Sequence, residues 1–201
     1  MSKLLIIETI NNRFASEGKT LEQALNLILD CMDQRKARHL EIEYFTAFTK
    51  SKFMDLLKHE CEFLHISSHG TTDNGLEKGN RHVLEIGRKE ERGQTIKNGR
   101  QVTPNEIKEL EIKAKTVFVS ACFSGHNDMA NAFFNDRRKG VYIGPCRRID
   151  FEKAFLVALH FYRGAFLEKS LRKGMNNISK DYTMGPHGTY YYFQSPRDIK
   201  K

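Results

Sequence analysis

The chain has 201 residues, of which 39% are hydrophobic and 29% charged, and it carries a formal net charge of +8. That is one domain's worth of chain, enough to bury a full core without disulfide or metal staples. The positive charge favours solubility and acidic partners, but the Lys and Arg residues are scattered with no basic and aromatic interleaving, so nucleic-acid binding is not expected.

Lys3 to Glu8 reads as a first strand. Leu21, Ala24, Leu25, Ile28 and Leu29 recur at helical spacing, which predicts a helix over about 20–34 with Thr20 as its N-cap. Glu41 to Phe45 alternates as a second strand, Lys52 to Lys58 is helical, and Glu62 to Ser67 is a third strand. Residues 70–100 are charged and Gly-rich and read as a loop with a hairpin around His82 to Ile86. Thr103-Pro104-Asn105-Glu106 opens a helix with a cap, a proline in the first turn and a capping-box acid. Thr116 to Ser120 is a fourth strand, Met129 to Phe134 a helix, and Val141 to Gly144 a short fifth strand. Phe151, Ala154, Phe155, Ala158, Phe161, Tyr162 and Ala165 mark an amphipathic helix, and Thr189 to Gln194 is a last strand. Strands alternating with helices imply a doubly wound, mostly parallel α/β sheet, here as a single domain over residues 1–201.

The four cysteines, Cys31, Cys61, Cys122 and Cys146, lack C-x-x-C spacing, which argues against a zinc knuckle. The apolar run Leu4 to Ile7 is cut off by Glu8, too short for a signal peptide, and no stretch approaches the ~18 apolar residues of a membrane span. A cytoplasmic protein with reduced thiols, and no membrane partner, is the expectation.

Two phrases carry the chemistry. Phe63-Leu64-His65-Ile66-Ser67-Ser68-His69-Gly70 and Thr116-Val117-Phe118-Val119-Ser120-Ala121-Cys122-Phe123-Ser124-Gly125 each read as a buried strand that ends in a reactive side chain followed by small residues. In a doubly wound sheet both ends fall where ligands bind, beyond the carboxyl edge. A histidine and a cysteine there supply a general base and a soft nucleophile, the minimum for acyl transfer through a thioester. Cys122 follows His69 by 53 residues, close to the ~50 between the caspase histidine and cysteine. Cys-Phe-Ser-Gly is not the Gly-x-Ser-x-Gly elbow of a serine hydrolase.

His65 to Gly70 and Ser120 to Gly125 resemble the two catalytic signatures of caspase-fold cysteine peptidases, most of all those of the CHAT branch, which shares its fold with caspases and metacaspases. The likeness runs roughly from Phe63 to Leu167. Two residues, Phe123 and Ser124, stand between Cys122 and Gly125 where the caspase signature has one, which favours CHAT or metacaspase over a true caspase. The resemblance implies a caspase-like sandwich, a cysteine endopeptidase with His69 and Cys122 as catalytic dyad, and an oxyanion hole built from the Gly70 and Cys122 N–H groups. It needs no metal or other cofactor. Its substrate is a protein or peptide, and bacterial proteins of this type are often stress or antiviral defence effectors switched on by a partner or ligand.

Asp150, after the fifth strand in Gly144-Pro145-Cys146-Arg147-Arg148-Ile149-Asp150, is the candidate substrate-binding residue, pairing with Arg or Lys before the cut. It also stands where an N-cap is expected, and Arg147 with Arg148 is a rival pocket for an acidic residue. Ser120 and Ser124 flank the nucleophile as supports for its turn. His65, His82, His126, His160 and His187 are the other histidines open to confusion with a base. The basic, Gly-rich stretch from Gly87 to Gly93, continued at Lys97 to Arg100, is the expected self-processing or activation loop. A catalytically silent interaction module of the same fold is the alternative reading.

Overall fold

A computed structural model describes residues 2–10, 16–32, 40–72, 82–87, 90–91, 94–95, 100–134, 140–167, 170–181 and 190–194. Strand β1 (Ser2–Glu8) leads into α1 (Glu17–Asp30), β2 (Leu40–Thr46), α2 (Lys50–Leu56) and β3 (Phe63–Ser67). Then come β4 (His69–Thr72), β5 (His82–Ile86), the short pair β6 (Glu90–Glu91) and β7 (Gln94–Thr95), and β8 (Arg100–Val102). The second half runs through α3 (Pro104–Lys108), β9 (Thr116–Ser120), α4 (Asn127–Phe134), β10 (Val141–Pro145), α5 (Phe151–Tyr162), a π-helical turn (Arg163–Leu167), α6 (Leu171–Asp181) and β11 (Tyr190–Gln194).

Six strands form the central sheet in the order β11-β10-β9-β3-β1-β2. β10, β9, β3, β1 and β2 are parallel to their neighbours, and β11 closes the far edge antiparallel to β10. This is the doubly wound α/β arrangement expected, consistent with a caspase-like fold.

Because side chains alternate across a strand, each parallel strand feeds two cores. Leu5, Ile7, Leu64, Ile66, Val117, Val119 and Tyr142 pack on one face with Phe53, Ile107, Met129 and Phe133 from α2, α3 and α4. Leu4, Ile6, Phe63, Phe118, Val141 and Ile143 pack on the other with Leu21 and Leu25 of α1, Val157 and Phe161 of α5, and Ile178 of α6. The second face also swallows a polar group. His65 is fully buried, with its Nε2 3.1 Å from Glu17 Oε1 and its Nδ1 3.2 Å from the Tyr162 hydroxyl.

Three helix starts differ from the expectation, for one physical reason. Helix α1 starts at Glu17, capped by Ser16, whose hydroxyl accepts the Lys19 N–H; Thr20 lies inside the helix and donates to the Ser16 carbonyl. Helix α2 starts at Lys50 on a Thr49 cap, and α4 starts at Asn127. Each helix opens with a polar turn, so apolar periodicity places its start too late. Helix α3 has the capping box expected, Thr103 with Glu106 around Pro104. The stretch read as a loop contains more order than expected: β5 is the middle strand of a three-stranded antiparallel sheet, between β4 and β8. Among the described residues no helix is long and apolar enough to cross a membrane. The end of the expected first helix, residues 33–34, His187, and the core of the expected self-processing stretch (88–89, 92–93 and 96–99) lie outside the described residues.

Candidate active site at the carboxyl edge of the sheet

β3 and β9 are adjacent, parallel and in register, with Ser67 opposite Ser120. His69 stands two residues past Ser67 and Cys122 two residues past Ser120, so both emerge at the same level beyond the same edge. The sequence places His69 at the end of the third strand. In the structure β3 stops at Ser67, Ser68 breaks the strand, and His69 opens β4. The break turns the chain out of the main sheet, so His69 is half-buried rather than enclosed like His65.

The two segments touch through backbone. A Cβ on Gly70 would lie 2.0 Å from the Cys122 carbonyl oxygen and 3.1 Å from the Cys122 nitrogen. No L-residue with a side chain fits there, which gives Gly70 a steric reason to be glycine. Around His69, the Thr9 hydroxyl donates to Ser68 Oγ at 2.8 Å, and Ser68 Oγ lies 3.1 Å from the Glu85 carbonyl, on the residue paired with His69 across the hairpin.

Cys122 sits in a tight turn in which the Ser124 N–H donates to the Ala121 carbonyl at 3.2 Å. Phe123 takes the left-handed position with φ of 59°, a conformation that costs a non-glycine residue roughly 1–2 kcal/mol. The turn is over-determined by its surroundings, as a strained turn must be. Phe123 N–H donates to the Arg147 carbonyl, Gly125 N–H to the Pro145 carbonyl, Ser124 Oγ to the Val119 carbonyl, and the Tyr142 hydroxyl to the Ser124 carbonyl. The Cys122 thiol is half-buried; the Ile149 N–H donates to Sγ at 3.5 Å, and Sγ lies 3.7 Å from the Ile149 carbonyl oxygen.

Ser124 thus supports the nucleophile's turn with its side chain. Ser120 does so through its carbonyl, which accepts the Ser68 N–H; its hydroxyl has no hydrogen-bond partner among the described residues. Asp150 follows Ile149 directly and is exposed, paired with Lys153 at 3.1 Å. It holds the N-cap position of α5 without making a side-chain cap bond. Arg147 and Arg148 are exposed beside it. His160 is half-buried on α5, away from this edge, and His65 is sealed in the core. His82 and His126, the latter four residues past Cys122, stack on each other. Among the described residues no three or more His, Cys, Asp or Glu side chains are gathered so as to hold a metal ion.

One feature of this edge escapes the sequence. Glu8, Ser67 and Ser120 occupy a single row across β1, β3 and β9, the last row before the edge. All three are buried, and Glu8 Oε1, Ser67 Oγ and Ser120 Oγ each lack a hydrogen-bond partner among the described residues. Glu8 Oε2 accepts from the Tyr44 hydroxyl at 2.6 Å and from Ser16. Burial pushes the Glu8 carboxyl above its usual range, against the pull of those two hydroxyls. The sequence presents Glu8 only as the charge that ends an apolar run, and nothing in one strand reveals what stands beside it in the next two.

Residues 12–138 match the CHAT domain family, a span that includes His69, Gly70 and Cys122. The chain belongs to that family. Asp150, Arg147 and Arg148 lie past the matched span of this CHAT domain. A probable protease of Gillisia limnaea is 30% identical to it over 120 residues, which is 58% of this chain and 18% of that protein. The chain therefore spans less than a fifth of the length of that relative. Together these findings set the domain among caspase-like, protease-related proteins.

Proposed function

We propose that this CHAT domain is a cysteine endopeptidase in which His69 and Cys122 form the catalytic dyad. The observation that carries the reading is the backbone contact of Gly70 with Cys122, which joins the histidine strand to the cysteine turn at one edge. His69 takes the proton of the Cys122 thiol, and the thiolate adds to the scissile carbonyl carbon. The Gly70 and Cys122 N–H groups face the oxyanion that develops. As the C–N bond breaks, the His69 imidazolium returns its proton to the leaving amine. Water, deprotonated by His69, then displaces the thiolate from the acyl-enzyme and completes hydrolysis.

Cleavage after Arg or Lys is the specificity proposed, and two carboxylates support it. Asp150 lies one residue from the Ile149 backbone that touches the thiol. Glu8 heads the buried row whose partnerless hydroxyls end two residues short of His69 and Cys122. A cation entering that row would find three acceptors, and it would restore Glu8 to its charged form. The biological role proposed is that of a regulated protease in stress or antiviral defence, held in check until a partner or ligand engages it.

A positional-scanning peptide library assayed with wild type and with Cys122→Ala tests the reading. Wild type cleaves after Arg and Lys, and Cys122→Ala loses roughly four to six orders of magnitude in kcat, the scale seen when a nucleophile is removed. Retained cleavage by Cys122→Ala overturns the mechanism, and efficient cleavage after Asp overturns the specificity in favour of Arg147 and Arg148. Asp150→Ala and Glu8→Gln tell which carboxylate receives the basic side chain.

A further inference from the structure

The hairpin of β4 and β5 stands outside the six-stranded sheet, yet it carries His69 on its first strand. One point of attachment to the cysteine segment is Gly70 against Cys122. A second lies about 7 Å further along β4, at the strand rise of ~3.3 Å per residue, where His82 pairs across the hairpin with Thr72. His82 Nδ1 is 2.8 Å from Asp128 Oδ2, and its ring lies on the His126 ring with centroids 3.7 Å apart and planes at 12°. His126 is the fourth residue after Cys122, and Asp128 is in the first turn of α4. Both ends of the bridge are sheltered, with the His82 and Asp128 side chains 22% and 10% exposed.

Stacked imidazoles tolerate one charge and resist two, because a second proton puts like charges in ring contact. Burial, and then the neighbouring His82, push His126 towards its neutral form; Asp128 and a hydrogen bond with the Cys146 backbone pull the other way and lose. Burial works to raise the Asp128 carboxyl, but the hydrogen bond and charge of His82, the Met129 N–H and His126 together outweigh it and hold it below its usual range. The groups that act on His126 are therefore His82 from the hairpin, Asp128 from α4 and the Cys146 backbone just past β10, while Arg147 acts on the Cys146 thiol. A histidine whose folded pKa is depressed favours the fold above its ordinary value of 6.5, and that contribution is lost as pH falls through the depressed value.

We propose that Asp128, His82 and His126 form a proton-operated clasp, a set of positioning residues that holds the His69 hairpin against the Cys122 turn and that releases it when His126 is protonated. The proposal rests on the His69–Cys122 reading. His126 supplies a flat neutral face for His82, and Asp128 fixes the plane of that ring, so the far end of β4 cannot swing away. A proton on His126 puts a charge against the stacked His82 ring, which disfavours it, and the hairpin then keeps only the Gly70 contact. Turnover falls because the two reacting groups lose register, while peptide binding elsewhere on the edge is unchanged.

The test uses the whole chain between about pH 5 and 8, the range in which histidines titrate, with peptide turnover and the rate of Cys122 alkylation by iodoacetamide as parallel readouts. Asp128→Asn keeps an acceptor and removes the charge. It is expected to lower kcat roughly ten- to a hundredfold, the scale of a misplacement of about 1 Å between reacting groups, with KM unchanged. Its rate of Cys122 alkylation is expected to fall together with kcat. His126→Phe keeps a ring to stack on and cannot be protonated, so the acid limb of kcat is expected to shift to lower pH. Wild-type kcat and an unmoved acid limb in both variants overturn the clasp and leave the dyad standing. A Cys122→Ala variant that keeps its turnover overturns the dyad and the clasp with it. If Asp128→Asn fails to fold, the acid limb of His126→Phe decides alone.

Discussion

His65 and His69 lie four residues apart, one in the middle of β3 and the other just past its end. His65 has a carboxylate on one nitrogen and a phenol on the other, with Phe118 stacked beneath it at 5.4 Å between ring centroids, and no solvent reaches it. His69 is half-buried, beside the backbone of a cysteine turn, on a strand that has left the main sheet. Judged by residue types alone, Glu17–His65–Tyr162 is the richer constellation. Its setting makes it inert: the N–H groups of the surrounding strands are engaged in the sheet ladder, so nothing can stabilise an oxyanion, and no substrate can enter. Beyond the edge the ladder ends, and backbone N–H groups become available to a substrate. The contrast separates a histidine that orders a core from one suited to reaction, and the deciding variable is the end of the sheet.

The strongest way to break that contrast is to crowd the edge. Gly70→Ala drives a Cβ into the Cys122 carbonyl, so the hairpin must shift and its N–H with it. A loss in kcat/KM of roughly 10²–10³, the worth of one oxyanion donor, is expected. Measured under conditions where circular dichroism reports a folded chain, wild-type kinetics for Gly70→Ala would place the reacting groups elsewhere.

The complementary change belongs to the core. Glu17→Ala leaves His65 buried beside Tyr162 without its hydrogen-bond partner, and leaving a buried polar group unpaired costs about 1–3 kcal/mol. Urea unfolding is expected to show that loss, while kcat per folded molecule at low temperature stays near wild type. A large loss of kcat with unchanged unfolding would reverse the roles assigned to the two histidines.

Much of this was legible from residues in order. The alternation of strands and helices gave the α/β class, the Thr103-Pro104-Asn105-Glu106 box marked the start of its helix, and His69-Gly70 with Cys122 pointed to the family. What stayed hidden depends on register between strands or on backbone without a sequence signature. Ser67 and Ser120 look like ordinary strand-end residues until β3 and β9 are paired, and only then does Glu8 join their row. Phe123 gives no hint of a left-handed φ, because the residue type expected in that conformation is glycine. His126 and Asp128 follow Cys122 closely in sequence, but their partner His82 comes from 44 residues before His126. The start of α1 was missed because its first turn, Glu17 to Thr20, faces the core through Glu17 and Gly18 rather than through an apolar side chain.

That helix start gives a smaller test of how the core histidine is held. Ser16 accepts the Lys19 N–H and donates to Glu8, so it both caps α1 and anchors the turn that delivers Glu17. Ser16→Ala is expected to cost about 1 kcal/mol, up to about 2, as loss of a good N-cap does. Thr20→Ala removes only an exposed side-chain bond to the Ser16 carbonyl and should stay within about 0.5 kcal/mol, as exposed substitutions do. Equal costs in thermal melts would mean that the cap does not set the position of Glu17.

The smallest effect on stability is the one that joins the two regions, because Glu8 touches the core through Ser16 and Tyr44 and heads the polar row at the edge. A carboxyl whose folded pKa is raised favours the fold below its ordinary value of 4.5, and that contribution is lost as pH rises through the raised value. Glu8→Gln carries no charge at any pH. It should match wild type in stability at low pH, where Glu8 is protonated, and become the more stable of the two as pH rises above 4.5 towards neutrality. The same variant should lose cleavage after Arg and Lys more than cleavage after neutral residues, since a Gln amide cannot balance a cation in that row. A gain in neutral-pH stability with a loss of basic preference identifies Glu8 as a charge kept at the expense of the fold for the sake of the substrate. A gain in stability with unchanged preference assigns that preference to Asp150, and leaves Glu8 on the side of the core with His65.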